Sequence, residues 1–136
     1  MGVIRGVRDW LARRQYERSK KGTADVGRYG EQLAVNALRD AGYAIIARNE
    51  IIDRREIDII AKEGDLLVFV EVKTRRDHAF GTPMEAVTRK TQERFRYAAN
   101  LYLVRHKLKE TSVRFDVVTI DLSDGEEKVE VVRGAF

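Results

Sequence analysis

The chain has 136 residues, enough for one domain built around one hydrophobic core. It is 43% hydrophobic and 35% charged, with no cysteine and two histidines. This composition excludes disulfides and cysteine nucleophiles, and it argues against a histidine-rich zinc site. The sequence has no apolar run of the ~18 residues that a membrane span needs, and its basic N-terminus lacks a signal-peptide core. We therefore expect a cytoplasmic protein that does not associate with membranes.

The net charge of +4 originates in the N-terminal segment. Residues 1–21 hold seven Lys or Arg against two acidic residues, whereas the rest of the chain holds 19 basic and 20 acidic side chains. Apolar residues at helical spacing in this segment predict a short, partly ordered amphipathic helix. We divide the chain into a basic N-terminal arm, residues 1–22, and an α/β domain, residues 23–136.

A helix is predicted from about Asp25 to Ala41, and Gly42 is suited to its C-terminal cap. Gly27 and Gly30 each lower the helix propensity by roughly 1 kcal/mol relative to Ala. Their presence makes sense if the first turn approaches another backbone or a ligand closely. Glu31 follows directly, and its helical spacing allows it either to point toward the packed side or to remain exposed in the first turn.

The stretch from Glu56 to Lys73 predicts two strands around a two-residue type II′ loop at Gly64-Asp65. This register places Asp58 opposite Glu71, where two like charges repel unless a cation lies between them. Lys73, two residues beyond Glu71 on the same face, is one candidate, and Mg²⁺, which binds through one or two carboxylates, is another. The alternative is a pair of solvated strand-end carboxylates and a simple ion pair.

Alternation along these strands divides their side chains between two faces. One face is expected to carry Ile57, Ile59 and Val70, and the other Phe69 beside the charged residues. Because both faces are largely apolar, we expect the hairpin to lie inside the core.

The remaining elements complete an α/β domain with a mixed sheet of about five strands flanked by helices. The predicted elements are a strand from Tyr43 to Ile52, a helix from Thr82 to about Lys107 with a break near Thr88, and strands from Val113 to Leu122 and from Lys128 to Val132. Within the strand after the long helix, Asp116 is expected to be buried against an arginine such as Arg114 or Arg133.

A local excess of basic residues follows the carboxylate pair. Arg75 and Arg76 lie in the loop after Lys73, and Lys90 and Arg94 are four residues apart on the following helix. Acidic metal ligands beside cations suit a polyanionic substrate. The alternative interpretation is that Lys90 and Arg94 form a solvated helix edge. His78, in the loop with Arg75 and Arg76, is expected to be solvated.

Several short motifs occur in the order in which they appear in a known family. They are Gly27-x-x-Gly30-Glu31-x-x-Ala34, Gly42-Tyr43, Arg48-Asn49, Glu56-Ile57-Asp58-Ile59-Ile60-Ala61, Phe69-Val70-Glu71-Val72-Lys73-x-Arg75, Phe80-Gly81, Glu85-Ala86-Val87, Lys90 and Arg114-Phe115-Asp116-Val117-Val118. Over residues 24–136 the chain closely resembles the YraN-like family of uncharacterised bacterial proteins. That family is similar in turn to archaeal Holliday-junction resolvases, in the restriction-endonuclease-like PD-(D/E)xK superfamily.

The resemblance implies a restriction-endonuclease-like core with its active site at one end of the hairpin. It implies that Asp58, Glu71 and the Val72 backbone carbonyl bind a metal ion, with Glu31 contributing through water or a second ion. Lys73 would orient or activate the attacking water. Two positions depart from the family pattern: Arg55 stands where the family usually has Gly, and a His shortly before the final Ala-Phe is absent.

Together these observations predict a DNA endonuclease that depends on Mg²⁺ or Mn²⁺ and is selective for DNA structure, with a role in repair or recombination. Arg75, Arg76, Lys90 and Arg94 would bind the DNA backbone. A junction-cutting enzyme needs two active sites, which a homodimer would supply, although no stretch identifies an interface. The alternatives are a weak or inactive nucleic-acid-binding module on the same fold, and an interaction protein whose basic arm contacts RNA or a partner.

Overall fold

The computed structural model describes residues 23–77 and 81–136. The predicted arm, residues 1–22, and the loop residues His78 and Phe80 lie outside the described residues. The helices are α1 (Thr23–Asp40) and α2 (Arg89–Arg105), and a 3₁₀ turn spans Met84–Ala86. The strands are β1 (Ala44–Ile52), β2 (Arg55–Glu63), β3 (Leu66–Arg75), β4 (Val113–Asp121) and β5 (Lys128–Val132).

The five strands form one mixed sheet in the order β1-β2-β3-β4-β5. β3 and β4 are parallel, and every other neighbouring pair is antiparallel. The parallel pair needs a crossover connection, and α2 provides it. The mixed five-stranded sheet flanked by helices confirms the predicted fold class. Neither helix in the described part of the chain combines the length and apolar character of a membrane-spanning segment.

Each face of the sheet packs against one helix. On one face Val68 and Val70 of β3 join a buried cluster with Leu33 and Leu38 of α1. On the other face Phe69 joins a cluster with α2, where its ring meets Tyr102 edge-on at 5.6 Å. Alternate residues of β3 therefore enter different cores, which explains why the strand is apolar on both sides.

The central hairpin has the predicted register over most of its length, but Asp58 and Glu71, predicted to lie directly opposite one another, are not a pair of the ladder. Glu63 pairs with Leu66, and the pairing continues to Ile59 opposite Val70. Gly64 has φ +59°, which the first position of a type II′ loop requires. The prediction for Ile57 was wrong, because this side chain is fully buried in the cluster against α2 whereas Ile59 packs against α1. Strict alternation fails between them because β2 turns away from β3 at Asp58.

The predicted break near Thr88 is confirmed. The Thr88 hydroxyl caps α2 by accepting a 3.3 Å hydrogen bond from the Thr91 backbone N–H. The start signal at Thr82 belongs to the short 3₁₀ turn instead of a long helix.

Candidate functional site

Asp58 lies where β2 separates from β3. The last paired position of the two strands is Ile59 opposite Val70. Beyond it, Asp58 Oδ2 accepts a 2.8 Å hydrogen bond from the Val72 backbone N–H. A continued β2 would have offered a backbone carbonyl to this N–H, so the Asp58 carboxylate takes the place of that carbonyl at the edge of β3.

The same geometry determines where the Val72 carbonyl points. The N–H and C=O of one strand residue face the same neighbouring strand. Since the Val72 N–H faces Asp58, its carbonyl also faces the gap that β2 leaves. The Val72 carbonyl oxygen, which the family resemblance implies as a metal ligand, therefore points to the side of β3 where Asp58 lies.

Glu71 points to the α2 side of the sheet, as Phe69 does. Its side chain is only 5% exposed and accepts a 2.5 Å hydrogen bond from Arg94 Nη2. A buried carboxylate needs such a partner because desolvation strongly disfavours its charge. Lys73 was one of the two candidate cations for this position, with Mg²⁺ the other, but the side chain that pairs with Glu71 is Arg94.

Asp58 and Glu71 form an acidic pair. The pKa of Asp58 is raised to about 7. Burial is the largest cause, followed by the hydrogen bond with Glu71 and the charge of Glu71. A hydrogen bond between two carboxyl groups requires a proton on one of them. Asp58 can therefore keep its proton up to nearly neutral pH, and Arg94 faces the Glu71 carboxylate beside it.

Glu31 extends the acidic site from α1. Its Oε1 accepts a 2.7 Å hydrogen bond from Asn49 Nδ2, and Arg48 Nε lies 3.6 Å from the same oxygen. The pKa of Glu31 is raised, mainly by burial. The positive charge of Arg48 lowers this pKa, and the negative charge of Asp58 raises it further. Glu31 is therefore directed to the packed side, the first of the two options that its spacing left open.

Asn49 reaches Glu31 because β1 is irregular there. Its φ is +51°, in the left-handed region that Asn tolerates better than most residues. Its neighbours Arg48 and Glu50 pair with Ile59 and Ile57, so Asn49 lies across from Asp58.

A groove of about 860 Å³ opens beside these residues. Its lining includes Glu31 and Asp58, and its rim carries Arg28, Arg75 and Arg76. Gly30 brings α1 close to β3, because a Cβ on Gly30 would lie 2.1 Å from Thr74 Oγ1. The close approach expected from the glycines is thus confirmed for Gly30. A Cβ on Gly27 would meet no atom of the described residues within 4 Å, but Gly27 lines the groove, so its close approach to a ligand stays a prediction.

The four predicted DNA-binding residues differ in their surroundings. Arg75 is bound internally, with Nη2 2.6 Å from Asp121 Oδ2 and Nη1 donating to the Gly81 carbonyl at 2.7 Å. Arg94 holds Glu71. Arg76 and Lys90 are exposed, and Lys90 precedes Arg94 by about one turn on the same face of α2. Lys73 is half-buried and shares the Glu71 side of β3.

The donor set suits a hard divalent cation with few protein ligands. Within residues 23–77 and 81–136, no three Asp, Glu or His side chains are gathered as a ready metal cage. Mg²⁺ commonly uses one or two carboxylates and completes its shell with water and substrate phosphate. Asp58 and Glu71 with the Val72 carbonyl fit that requirement, and Glu31 lines the same groove as Asp58.

The same part of the chain matches known proteins. Residues 30–120 match the model of the uncharacterised protein family UPF0102. The chain belongs to this family. A UPF0102 protein of Symbiobacterium thermophilum is 47% identical over 112 residues, which cover 82% of this chain and 95% of that protein. A UPF0102 protein of Rhodococcus opacus is 48% identical over 112 residues, which likewise cover 82% of this chain and 95% of that protein. UPF0102 is the YraN-like family that the sequence motifs indicated.

Within this UPF0102 chain, sequence reasoning missed two partners of the acidic residues. Arg94 was assigned to phosphate binding alone, and no local pattern connects it with Glu71, 23 residues away. Asn49 was noted only within the Arg48-Asn49 motif, and that motif was the available signal, since both residues contact Glu31.

Asp116 is structural, as predicted. It is fully buried and accepts hydrogen bonds from Arg114 Nε at 2.8 Å and from the Tyr43 hydroxyl at 2.6 Å. The second predicted arginine, Arg133, pairs instead with Glu63 at 2.7 Å.

Proposed function

We propose that this UPF0102 protein is an endonuclease that hydrolyses DNA phosphodiesters with Mg²⁺ or Mn²⁺ and is selective for DNA structure. The observation that supports it best is the buried Asp58–Glu71 pair at the gap between β2 and β3. Two carboxylates kept in contact, at the cost of repulsion and desolvation, are typical of a site built for a cation. Lys73 on the same strand face and the open groove beside Asp58 add to this argument.

Each residue then has a defined task. Asp58 and Glu71, with the Val72 carbonyl, would hold the divalent ion, which lowers the pKa of bound water and offsets charge on the phosphate. Glu31, held by Asn49, would orient water at the α1 side. Lys73 would add positive charge beside the attacked phosphorus and orient the attacking water. Arg76 and Lys90 would bind neighbouring phosphates without selecting sequence.

The proposal is tested by cleavage of labelled duplex, single-stranded, flap and four-way-junction DNA with Mg²⁺ or Mn²⁺. We expect Asp58→Asn and Lys73→Ala each to lose about 10²–10⁴-fold in rate, the range for a group acting directly on the reacting atoms. Asp65→Asn and Lys62→Ala make the same changes at exposed positions of the hairpin and should cut as the wild type does. Absence of cutting by the wild type on every substrate, or full activity of Asp58→Asn, would contradict the proposal.

A second candidate is a nucleic-acid-binding module that keeps the nuclease fold without effective turnover. The ion pair of Arg94 with Glu71 favours it, since the acidic pair is partly neutralised from within the chain. DNA affinity separates the two candidates: with a binding module, Asp58→Ala should bind DNA as tightly as the wild type or more tightly, and no variant should cut. Tight binding combined with metal-dependent cutting by the wild type excludes it.

A further inference from the structure

Arg94 contacts Glu71, one of the two carboxylates that the proposed function assigns to the cation. Its Nη2 lies 2.5 Å from Glu71 Oε2, and Glu71 is almost completely buried. The Arg94 side chain itself is 38% exposed, and its Nε is buried without a hydrogen bond to the described residues. The guanidinium is thus held by one short hydrogen bond, and its Cζ lies 5.4 Å from the centre of the Phe95 ring.

The charges at this position change when a divalent cation binds. Without the cation, Arg94 offsets the negative charge of the acidic pair. With the cation, the two carboxylates are already neutralised, and a guanidinium at hydrogen-bonding distance from Glu71 repels the ion. Arg94 and the ion therefore compete for the charge of the Glu71 carboxylate.

Two lysines, exposed Lys90 and half-buried Lys73, lie on the same side of the sheet as Arg94. Lys90 is about one turn earlier on the same face of α2, and Lys73 lies on the same side of β3 as Glu71. An arginine displaced from Glu71 toward these two cations needs an anion, and a phosphate between them supplies it.

We propose that Arg94 is a positioning residue that holds Glu71 in the metal-free protein and moves to a substrate phosphate when a divalent cation binds. This inference rests on the proposed function. It assigns Arg94 two successive anionic partners, a carboxylate and then a phosphate, and it makes cation binding the event that exposes the phosphate-binding group.

The first test is a titration of DNA-free protein with Mn²⁺, followed by electron paramagnetic resonance of the free ion. Arg94→Gln should bind Mn²⁺ about tenfold more tightly than the wild type, because a competing charge-assisted hydrogen bond is gone. Arg94→Lys, which keeps the charge, should return the affinity toward that of the wild type. Arg89→Gln removes the same charge from an exposed site of the same helix and should change the affinity little.

A second test needs no substitution. Guanidinium NMR of the wild type should show slow rotation of the Arg94 Nη groups without metal and faster rotation after Mg²⁺ is added. Because it uses the wild type, this measurement tests the release of Arg94 from Glu71 even if the Arg94→Gln protein does not fold.

The results separate this inference from the proposed function. Equal or weaker Mn²⁺ binding by Arg94→Gln, or Arg94 signals unchanged by Mg²⁺ at saturation, overturns the role of Arg94 while leaving a metal-binding wild type as a nuclease candidate. A wild type that binds no divalent ion overturns both. Tighter binding by Arg94→Gln alone, with Arg89→Gln unchanged, supports the displacement.

Discussion

The Asp58 carboxylate accepts a 2.8 Å hydrogen bond from the backbone N–H of Val72, just beyond the last pair of β2 and β3. One side chain thereby completes the hydrogen bonding of β3 while β2 turns away. The turn buries Ile57 against α2 and leaves Asp58 between Glu71 and the groove that contains Glu31. The acidic site is therefore a consequence of where two strands part.

Asp58 should make the protein less stable as the pH rises. Its folded-state pKa is raised to about 7 from an ordinary value of 3.8, so between these pH values the folded protein binds more protons than the unfolded chain. Stability should then fall as the pH rises through this window and level off above pH ~7. Asp58→Asn should remove much of this slope and be more stable than the wild type at pH 8, with a smaller difference at pH 5.

Urea unfolding at several pH values measures this effect. Asp65→Asn, the same change in the exposed hairpin loop, should differ little from the wild type at either pH. Parallel pH profiles for the wild type and Asp58→Asn would show that Asp58 does not carry the proton.

Gly30 and Gly27 should respond oppositely to alanine. Gly30→Ala brings a Cβ within 2.1 Å of Thr74 Oγ1, and we expect a loss of about 1–2 kcal/mol despite the better helix propensity. Gly27→Ala enters open space among the described residues and should gain roughly 1 kcal/mol. Thermal or urea unfolding of both variants checks this, and a destabilised Gly27→Ala protein would reveal a contact at that position.

Arg114 should be essential to stability because it is paired with the fully buried Asp116. Arg114→Met leaves that carboxylate without its cation, which costs about 3–5 kcal/mol. Arg133→Met is the matched control, since its ion pair with Glu63 is more exposed and should contribute about 1 kcal/mol or less. The double variant Arg114→Met/Asp116→Leu should recover part of the loss in urea unfolding. Similar losses for the two single variants would contradict this assignment.

The loop between β1 and β2 should be improved by glycine at Arg54. Asp53 and Arg54 have φ values of +48° and +66°, the left-handed pair of a type I′ loop. Arg54→Gly relieves the backbone strain and should stabilise the protein by about 0.5–1 kcal/mol after the greater entropy of the unfolded chain is subtracted. Arg55→Gly should destabilise it, because Arg55 starts β2 and its guanidinium stacks 3.9 Å from the Tyr97 ring centre. Urea unfolding of both variants checks this. If Arg55→Gly were stabilised and Arg54→Gly destabilised, the strain would lie at Arg55.

Local sequence rules predicted the central hairpin well. The two-residue loop at Gly64-Asp65 sets which residues of β2 and β3 pair, and alternation then determines most of the faces. These features involve residues close in the chain, so spacing alone carries the information. The family followed in the same way from short motifs in a fixed order, which the match over residues 30–120 confirmed.

Only the tertiary structure decided how the charges of the site are balanced. The pair of Arg94 with Glu71 spans 23 residues, and that of Arg75 with Asp121 spans 46. No periodicity in the sequence encodes these pairs, because they form only after α2 and the neighbouring strands have packed onto the sheet. The sequence by itself predicted the hairpin that carries Asp58 on one strand and Glu71 on the other. The packing of α2 determined that an arginine meets them there, because a carboxylate buried under that helix is stable only with a cation close by.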